Sequence, residues 1–413
     1  MKNLKTRIMI IAVCFFFLVF FTNDFGLVDI KKTSIITAVA IDGKLGEYEV
    51  TVQIAVPEAN DTNTENKRAV ITGKGSTIGG AIKNVGDITG WYPRLDFCNL
   101  IVIGSEVAKE NTIAVMDYFA KTLRIQDSAI VVTSEKEGKE ILETASPLDN
   151  ISSFALQKVV LKSTGFDKDV VDTNVKTFVT GYYSLSNSAV LPQIKITKQQ
   201  DGSSGSSSGG QSSGGEQSGG GSSGGQSSGG EQKGSDNKGN ALFDGKNTAL
   251  FYKGKKVGQM DEKLTLAYNM LNERFSETTL EIDDVEVSPS DTHNFLLTVK
   301  RCTPSFKVKA SEDKIEVIIS VDIYAKISDQ DSFYSDSTVQ KNPPIIPAVK
   351  LKAEKEIKGW FLDIIEKSKS TNCDILKIKQ HLYRYNYKYY SVFEDDYLSY
   401  VTPTININLS GQK

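Results

Sequence analysis

The chain has 413 residues, 39% of them hydrophobic, which is enough for two or three domains with real cores. Its 48 Lys and Arg nearly balance 51 Asp and Glu, so no strong field draws it toward nucleic acid. Two histidines, His293 and His381, and four scattered cysteines leave a zinc site or a histidine-based triad little to work with.

Lys2, Lys5 and Arg7 precede an apolar run over residues 8–21, and no basic residue follows until Lys31. That order places the positive end in the cytoplasm and the rest of the chain on the far side of a membrane. No small-residue cleavage site follows the run at Phe21-Thr22-Asn23-Asp24. Cys14 is the candidate lipidation residue, but β-branched Val13 stands where a lipoprotein signal wants a small residue, and seven apolar residues follow it. An uncleaved anchor fits better, with Lys5 and Arg7 snorkelling to extend a run shorter than the roughly 20 residues a bilayer asks for. Residues 1–29 are therefore read as a signal anchor or signal peptide.

Residues 35–41 form an apolar strand, a turn follows at Asp42-Gly43-Lys44-Leu45-Gly46, and alternation from Tyr48 to Val56 makes a hairpin with one buried face. Ser76 or Thr77 can cap a helix carrying Ile78, Ile82, Val85 and Ile88. A strand at 99–103, a helix over 107–123, a strand at 129–133 and a helix around 136–143 come next. Residues 151–196 begin with helical spacing and end extended. Residues 199–240, dominated by Gly, Ser and Gln, cannot bury apolar surface and are read as a disordered connector. They divide residues 30–198 from residues 241–413 at an exposed loop or boundary.

Beyond the connector, residues 249–257 read as a hairpin and 262–271 as a helix. Strands are expected at 295–299, 314–319 and 321–327, the last two rich in β-branched residues. Pro343, Pro344 and Pro347 precede a helix bearing Leu351, Ile357, Phe361, Ile364 and Ile365. Ile405, Ile407 and Leu409 alternate with polar residues in a terminal strand of edge character. The fold class is α+β: several mixed α/β domains outside the membrane, preceded by one apolar anchor helix.

No motif carries catalytic chemistry. Gly73-Lys74-Gly75-Ser76-Thr77 has the wrong order and spacing for a phosphate loop and reads as a turn with a helix cap. The clusters Glu281-Ile282-Asp283-Asp284 and Glu394-Asp395-Asp396 read as solvated loops. Tyr383, Tyr385, Tyr387, Tyr389 and Tyr390, interleaved with Arg384 and Lys388, fit a core surface, with a partner interface as the functional alternative. Cys98, Cys302 and Cys373 allow one disulfide at most, leaving a free thiol. The inventory points to a non-enzyme with no cofactor and no metal.

The order of segments says more. Ile36-Thr37-Ala38-Val39-Ala40-Ile41-Asp42, then Glu47-Tyr48-Glu49-Val50-Thr51-Val52-Gln53-Ile54, Gly73-Lys74-Gly75-Ser76-Thr77-Ile78 and Leu100-Ile101-Val102-Ile103-Gly104-Ser105-Glu106-Val107-Ala108 together resemble the Ger(x)C spore germination family. These are the C subunits of nutrient germinant receptors, GerAC-like. Past the connector the likeness resumes at Ala249-Leu250-Phe251-Tyr252-Lys253-Gly254-Lys255-Lys256-Val257-Gly258 and runs through Cys373-Asp374-Ile375-Leu376 to the last strand. The resemblance implies a membrane-attached, non-catalytic subunit on the outer face of the spore inner membrane, working with two integral membrane subunits of the A and B type. A small-molecule germinant is the ligand it would imply, and no nucleic acid. Two departures stand out: Gly26-Leu27-Val28-Asp29 keeps the family's Asp but lacks its lipobox Cys and Trp, and the Gly/Ser-rich insertion is extra.

Overall fold

A computed structural model describes residues 2–21, 33–55, 68–121, 125–146, 149, 151–161, 169–198, 241–272, 277–289, 291–331, 344–393 and 396–411. The connector at 199–240 lies outside them, as do Glu394 and Asp395. Helix α1 (Lys2–Phe21) holds the apolar run. At 1.5 Å per residue residues 8–21 span about 21 Å, short of the hydrocarbon thickness of about 30 Å. Among the described residues no helix is long and apolar enough to cross a membrane.

Strands β1 (Thr33–Lys44) and β2 (Glu47–Ala55) make the expected hairpin, Ile41 facing Val50. It is buried on both faces rather than one, because β1 is an interior strand lying between β2 and β5 and is covered on both sides. After β3 (Arg68–Gly75) comes α2 (Ile78–Thr89), capped by Thr77, whose hydroxyl accepts from the Gly80 amide at 3.1 Å. Gly73 and Gly75 belong to β3, not to a turn. A Cβ on Gly73 would meet the Ala81 carbonyl at 2.3 Å, so only glycine lets α2 lie this close. Ile78, Ile82 and Val85 are buried as expected, whereas Ile88 is 63% exposed. The last turn of α2 meets the strand β4 (Tyr92–Arg94) through Gly86, leaving Ile88 off the packed face.

β5 (Leu100–Ile103) follows, then two helices where one was expected: α3 (Ser105–Glu110) and α4 (Thr112–Lys121). The break at Asn111 lets the Thr112 amide reach the Gly254 carbonyl at 2.8 Å. β6 (Ile130–Ser134), α5 (Gly138–Glu143), α6 (Ser152–Leu161), α7 (Val175–Tyr182) and β7 (Ser188–Lys198) complete this stretch. β8 (Ala241–Tyr252) and β9 (Lys255–Met260) form the expected hairpin, turning on Lys253 and Gly254, both at positive φ.

These strands make one sheet, order β3-β2-β1-β5-β6-β7-β8-β9, with β4 paired to the start of β1. β8 runs antiparallel to β7, with Ala241 opposite Lys198. The Gly/Ser-rich insertion therefore joins two paired neighbours. Alternation sends Val39, Ile41, Ile101 and Val131 to one core and Ala38, Ala40, Val102 and Val132 to another on the opposite face. Helices cover both faces, giving three layers.

Next come α8 (Glu262–Asn272), β10 (Thr278–Ser288), β11 (Asp291–Ala310) and β12 (Ile315–Gln330), then α9 (Pro347–Thr371), α10 (Ile378–Tyr385), α11 (Tyr387–Phe393) and β13 (Val401–Ser410). The two strands expected between 314 and 327 are one continuous strand, β12. The second sheet has the order β10-β11-β12-β13, antiparallel until β13 joins β12 in parallel at the edge. The acidic cluster Glu281-Ile282-Asp283-Asp284 lies on edge strand β10 rather than in a loop. Its carboxylates are exposed while Ile282 is fully buried, the pattern of an edge guarded by charge against further pairing. α9 buries Val349, Ala353, Ile357, Phe361 and Ile364, one stripe at helical spacing. Leu351, two positions off that stripe, is exposed. A single core joins α8, α9 and the second sheet to Leu250 and Met260 of the first.

Candidate functional site at the junction of the two halves

The loop from α9 to α10 fastens the second sheet's layer to the edge of the nine-stranded sheet, next to the β7–β8 pairing. Asn372 ends α9 in the left-handed region, which turns the chain and drives Cys373 and Asp374 inward. The Cys373 thiol donates to the Phe251 carbonyl of β8 at 3.3 Å, and the Asp374 amide donates to Ser188 Oγ at the start of β7 at 3.0 Å. The Asp374 carboxylate then accepts from the amides of Ile378 at 2.8 Å and Lys379 at 2.9 Å, and from the Tyr397 hydroxyl at 2.9 Å. It caps α10 from a 1% exposed position. Burial pushes its carboxyl above the ordinary value, against the pull of those amides and of the tyrosine. Burial, then the Asp374 charge, raises Tyr397 in turn.

Burial also pushes the Cys98, Cys302 and Cys373 thiols up to about 12. All three are buried and free, with no disulfide among them, so each is a protonated packing group and not a nucleophile.

Beside the junction lies an open cleft of about 370 Å³, walled by α7, the start of β7 and α10. Lys176, Lys377 and Arg384 line it together with Thr177, Ser184 and Gln380. Its one carboxylate, Asp374, is spent on capping. A small anionic or zwitterionic molecule matches that lining by charge and size.

The remaining sequence candidates are dispersed. Cys14 is exposed on α1. Tyr383, Tyr385 and Tyr387 are exposed, against the core reading, because Asn386 breaks the segment into two short helices and turns these rings outward. Tyr383 packs edge-on against Tyr387 and Tyr390, whose rings stack on each other at 6.1 Å, while Tyr389 and Tyr390 rest half-buried on the core. His381 packs on Phe306 at 4.9 Å, and His293 faces Asp291 at 2.9 Å. Among the described residues no group of three or more His, Cys, Asp or Glu is arranged to hold a metal ion.

Comparison with known proteins places this architecture. The model of the spore germination protein N-terminal domain matches residues 27–196, and that of the spore germination B3/GerAC-like C-terminal domain matches residues 246–411. The chain belongs to the Ger(x)C family of spore germination proteins. A solved structure described as the crystal structure of the GerBC protein is similar to 93% of this chain over all of its own length, with a TM-score of 0.50 and 13% identity. At that identity the likeness speaks to the fold alone. No curated protein matches. In this Ger(x)C protein the segment Cys373-Asp374-Ile375-Leu376 fastens the second sheet's layer to the nine-stranded sheet, beside the β7–β8 pairing. In the sequence these residues stand out as part of an ordered resemblance, and Cys373 also as one of three cysteines that allow one disulfide. The available signal was an Asp four residues ahead of a helix start; its partners Ser188 and Tyr397 carry none.

Proposed function

We propose that this chain is the membrane-anchored, non-catalytic C subunit of a spore nutrient germinant receptor. Family membership across both halves carries the reading. The buried chemistry supports it: the thiols are protonated, and the junction carboxylate caps a helix. In this reading α1 is an uncleaved anchor in the spore inner membrane. Residues 30–413 stand on the extracytoplasmic face, a 30–198 domain and a 241–413 domain joined by the 199–240 linker, with β8 and β9 of the second completing the sheet of the first. The partners are the integral membrane A and B type subunits.

Deleting the gene in its spore-forming host tests the role. Nutrient-triggered germination should slow or stop, and unaltered germination without a compensating paralogue sinks the proposal. Fatty-acid labelling tests the anchor: label that disappears with Cys14→Ala assigns a lipid at Cys14, and no label in either leaves the helix as the anchor.

A second reading, a membrane-tethered extracytoplasmic module that itself binds a small ligand or wall fragment, is favoured for a small germinant by the cationic cleft at the junction. Calorimetry with germinants on residues 31–413 should then give heat that Arg384→Ala abolishes. Silence with every germinant tried removes this reading and leaves the first intact.

A further inference from the structure

β1 begins at Thr33, with eleven residues between it and the end of α1 at Phe21. Fully extended, such a stretch reaches about 40 Å at most, so whatever holds α1 keeps this end of the nine-stranded sheet near it. The same end gathers several chain segments. Tyr92 lies opposite Thr33 in the parallel β4–β1 pairing, the turn containing Phe97 feeds β5 beside Thr37, and α2 finishes at the αL residue Gly90. Over ten residues this rim exposes Ile88, Trp91, Tyr92 and Phe97, with Trp91 at 48% and Phe97 at 62%. Trp91 and Tyr92, with Tyr118, wall an open cleft of about 740 Å³.

The opposite ends of the parallel strands are different. There Asp42 receives the amides of α5, and Ser134 bonds Glu137. The aromatic rim carries little net charge, since Lys83 and Asp87 both face the cleft and Arg94 pairs with Asp96 at 2.8 Å. Tryptophan and tyrosine combine an apolar body with a polar tip, the combination favoured at the headgroup level of a bilayer.

We infer that this rim docks on the lipid surface beside α1, with Trp91, Tyr92 and Phe97 entering the headgroup–acyl boundary and the sheet standing with its β1 root toward the membrane. The inference rests on the anchored reading of α1. The occupant is lipid, held by apolar insertion rather than by charge.

The chain has two tryptophans, and Trp360 packs half-buried against the C-terminal core. Full-length Trp360→Phe protein, reconstituted in phosphatidylcholine vesicles, therefore reports on Trp91 alone. Lipid brominated near the top of the acyl chain should quench its emission about twofold, and high salt should leave the quenching unchanged. The companion Trp91→Phe protein, with Trp360 intact, should lose that quenching. Protein that sediments with the vesicles yet keeps Trp91 open to aqueous iodide and untouched by brominated lipid overturns the docking while leaving the anchor. Shielding that appears only when the integral membrane subunits are reconstituted alongside assigns the rim to protein and overturns it too. Failure to sediment with vesicles at all overturns the anchor and the docking together.

Discussion

Asp42 and Asp374 use one chemistry in two settings. Each is a buried carboxylate receiving two consecutive amides at the first turn of a helix, Gly138 and Lys139 in one case, Ile378 and Lys379 in the other. Asp42 is 9% exposed and fastens α5 to the end of β1 within the first half. Asp374 is 1% exposed, so water cannot complete its shell, and Tyr397 supplies a third donor. Its own amide reaches across to Ser188. A cap within the first half needs two bonds; a cap that also fastens the second sheet's layer to the first sheet is enclosed and must be satisfied in full.

The contrast can be broken most severely at the junction. Asp374→Ala orphans two amides and the Tyr397 hydroxyl and should cost about 3 kcal/mol in urea unfolding. A loss equal to that of Asp42→Ala would erase the distinction. Gly104→Ala should cost about 2 kcal/mol, because its Cβ would fall 1.9 Å from Asp42 Oδ1 and expel the carboxylate. Combined with Asp42→Ala it should add little, and a fully additive double mutant would show that the clash acts elsewhere. Thr77→Ala, removing an exposed local cap, should cost about 1 kcal/mol and leave the junction untouched. Halving the 199–240 insertion should stabilise the chain by only about 0.6 kcal/mol, the loop-closure increment, if it does no more than connect β7 to β8.

The last expectation is a slope. Burial raises both carboxyls above their ordinary range. Between an unfolded value of about 4 and the raised folded values, the native state therefore holds more protons than the unfolded state. Stability should fall as pH rises through that window. Asp42→Asn with Asp374→Asn should flatten the decline; an unchanged profile would place the titrating groups elsewhere.

Much of the fold was legible because it is written locally. The β1–β2 hairpin, the Thr77 cap, the turn at Lys253-Gly254 and the α9 stripe each follow from residues within a few positions of one another. What was not legible depends on distant partners. Asp42 reads as a turn residue until Gly138 is brought to it from 96 positions away. β10 reads as an acidic loop because an edge strand carries charge for the same reason a loop does, exposure to water. The tyrosine series spaces its rings at two, as a strand would, and only the break at Asn386 reveals two helices. The double burial of β1 was hidden for a different cause: interior sheet strands lose the alternation that marks a half-exposed one.

The pairing of β7 with β8 across the insertion has a consequence for the order in which the molecule is made. When Lys198 leaves the ribosome, β7 carries an edge with no neighbour on its β8 side. Its cover arrives only once Tyr252, the end of β8, has been synthesised, about 54 residues later, or roughly 3–11 s at ordinary elongation rates. During that interval the nascent sheet offers an open flank to any other extended chain. A chaperone that binds strand edges should act on this protein in that window and lose its hold when β8 closes.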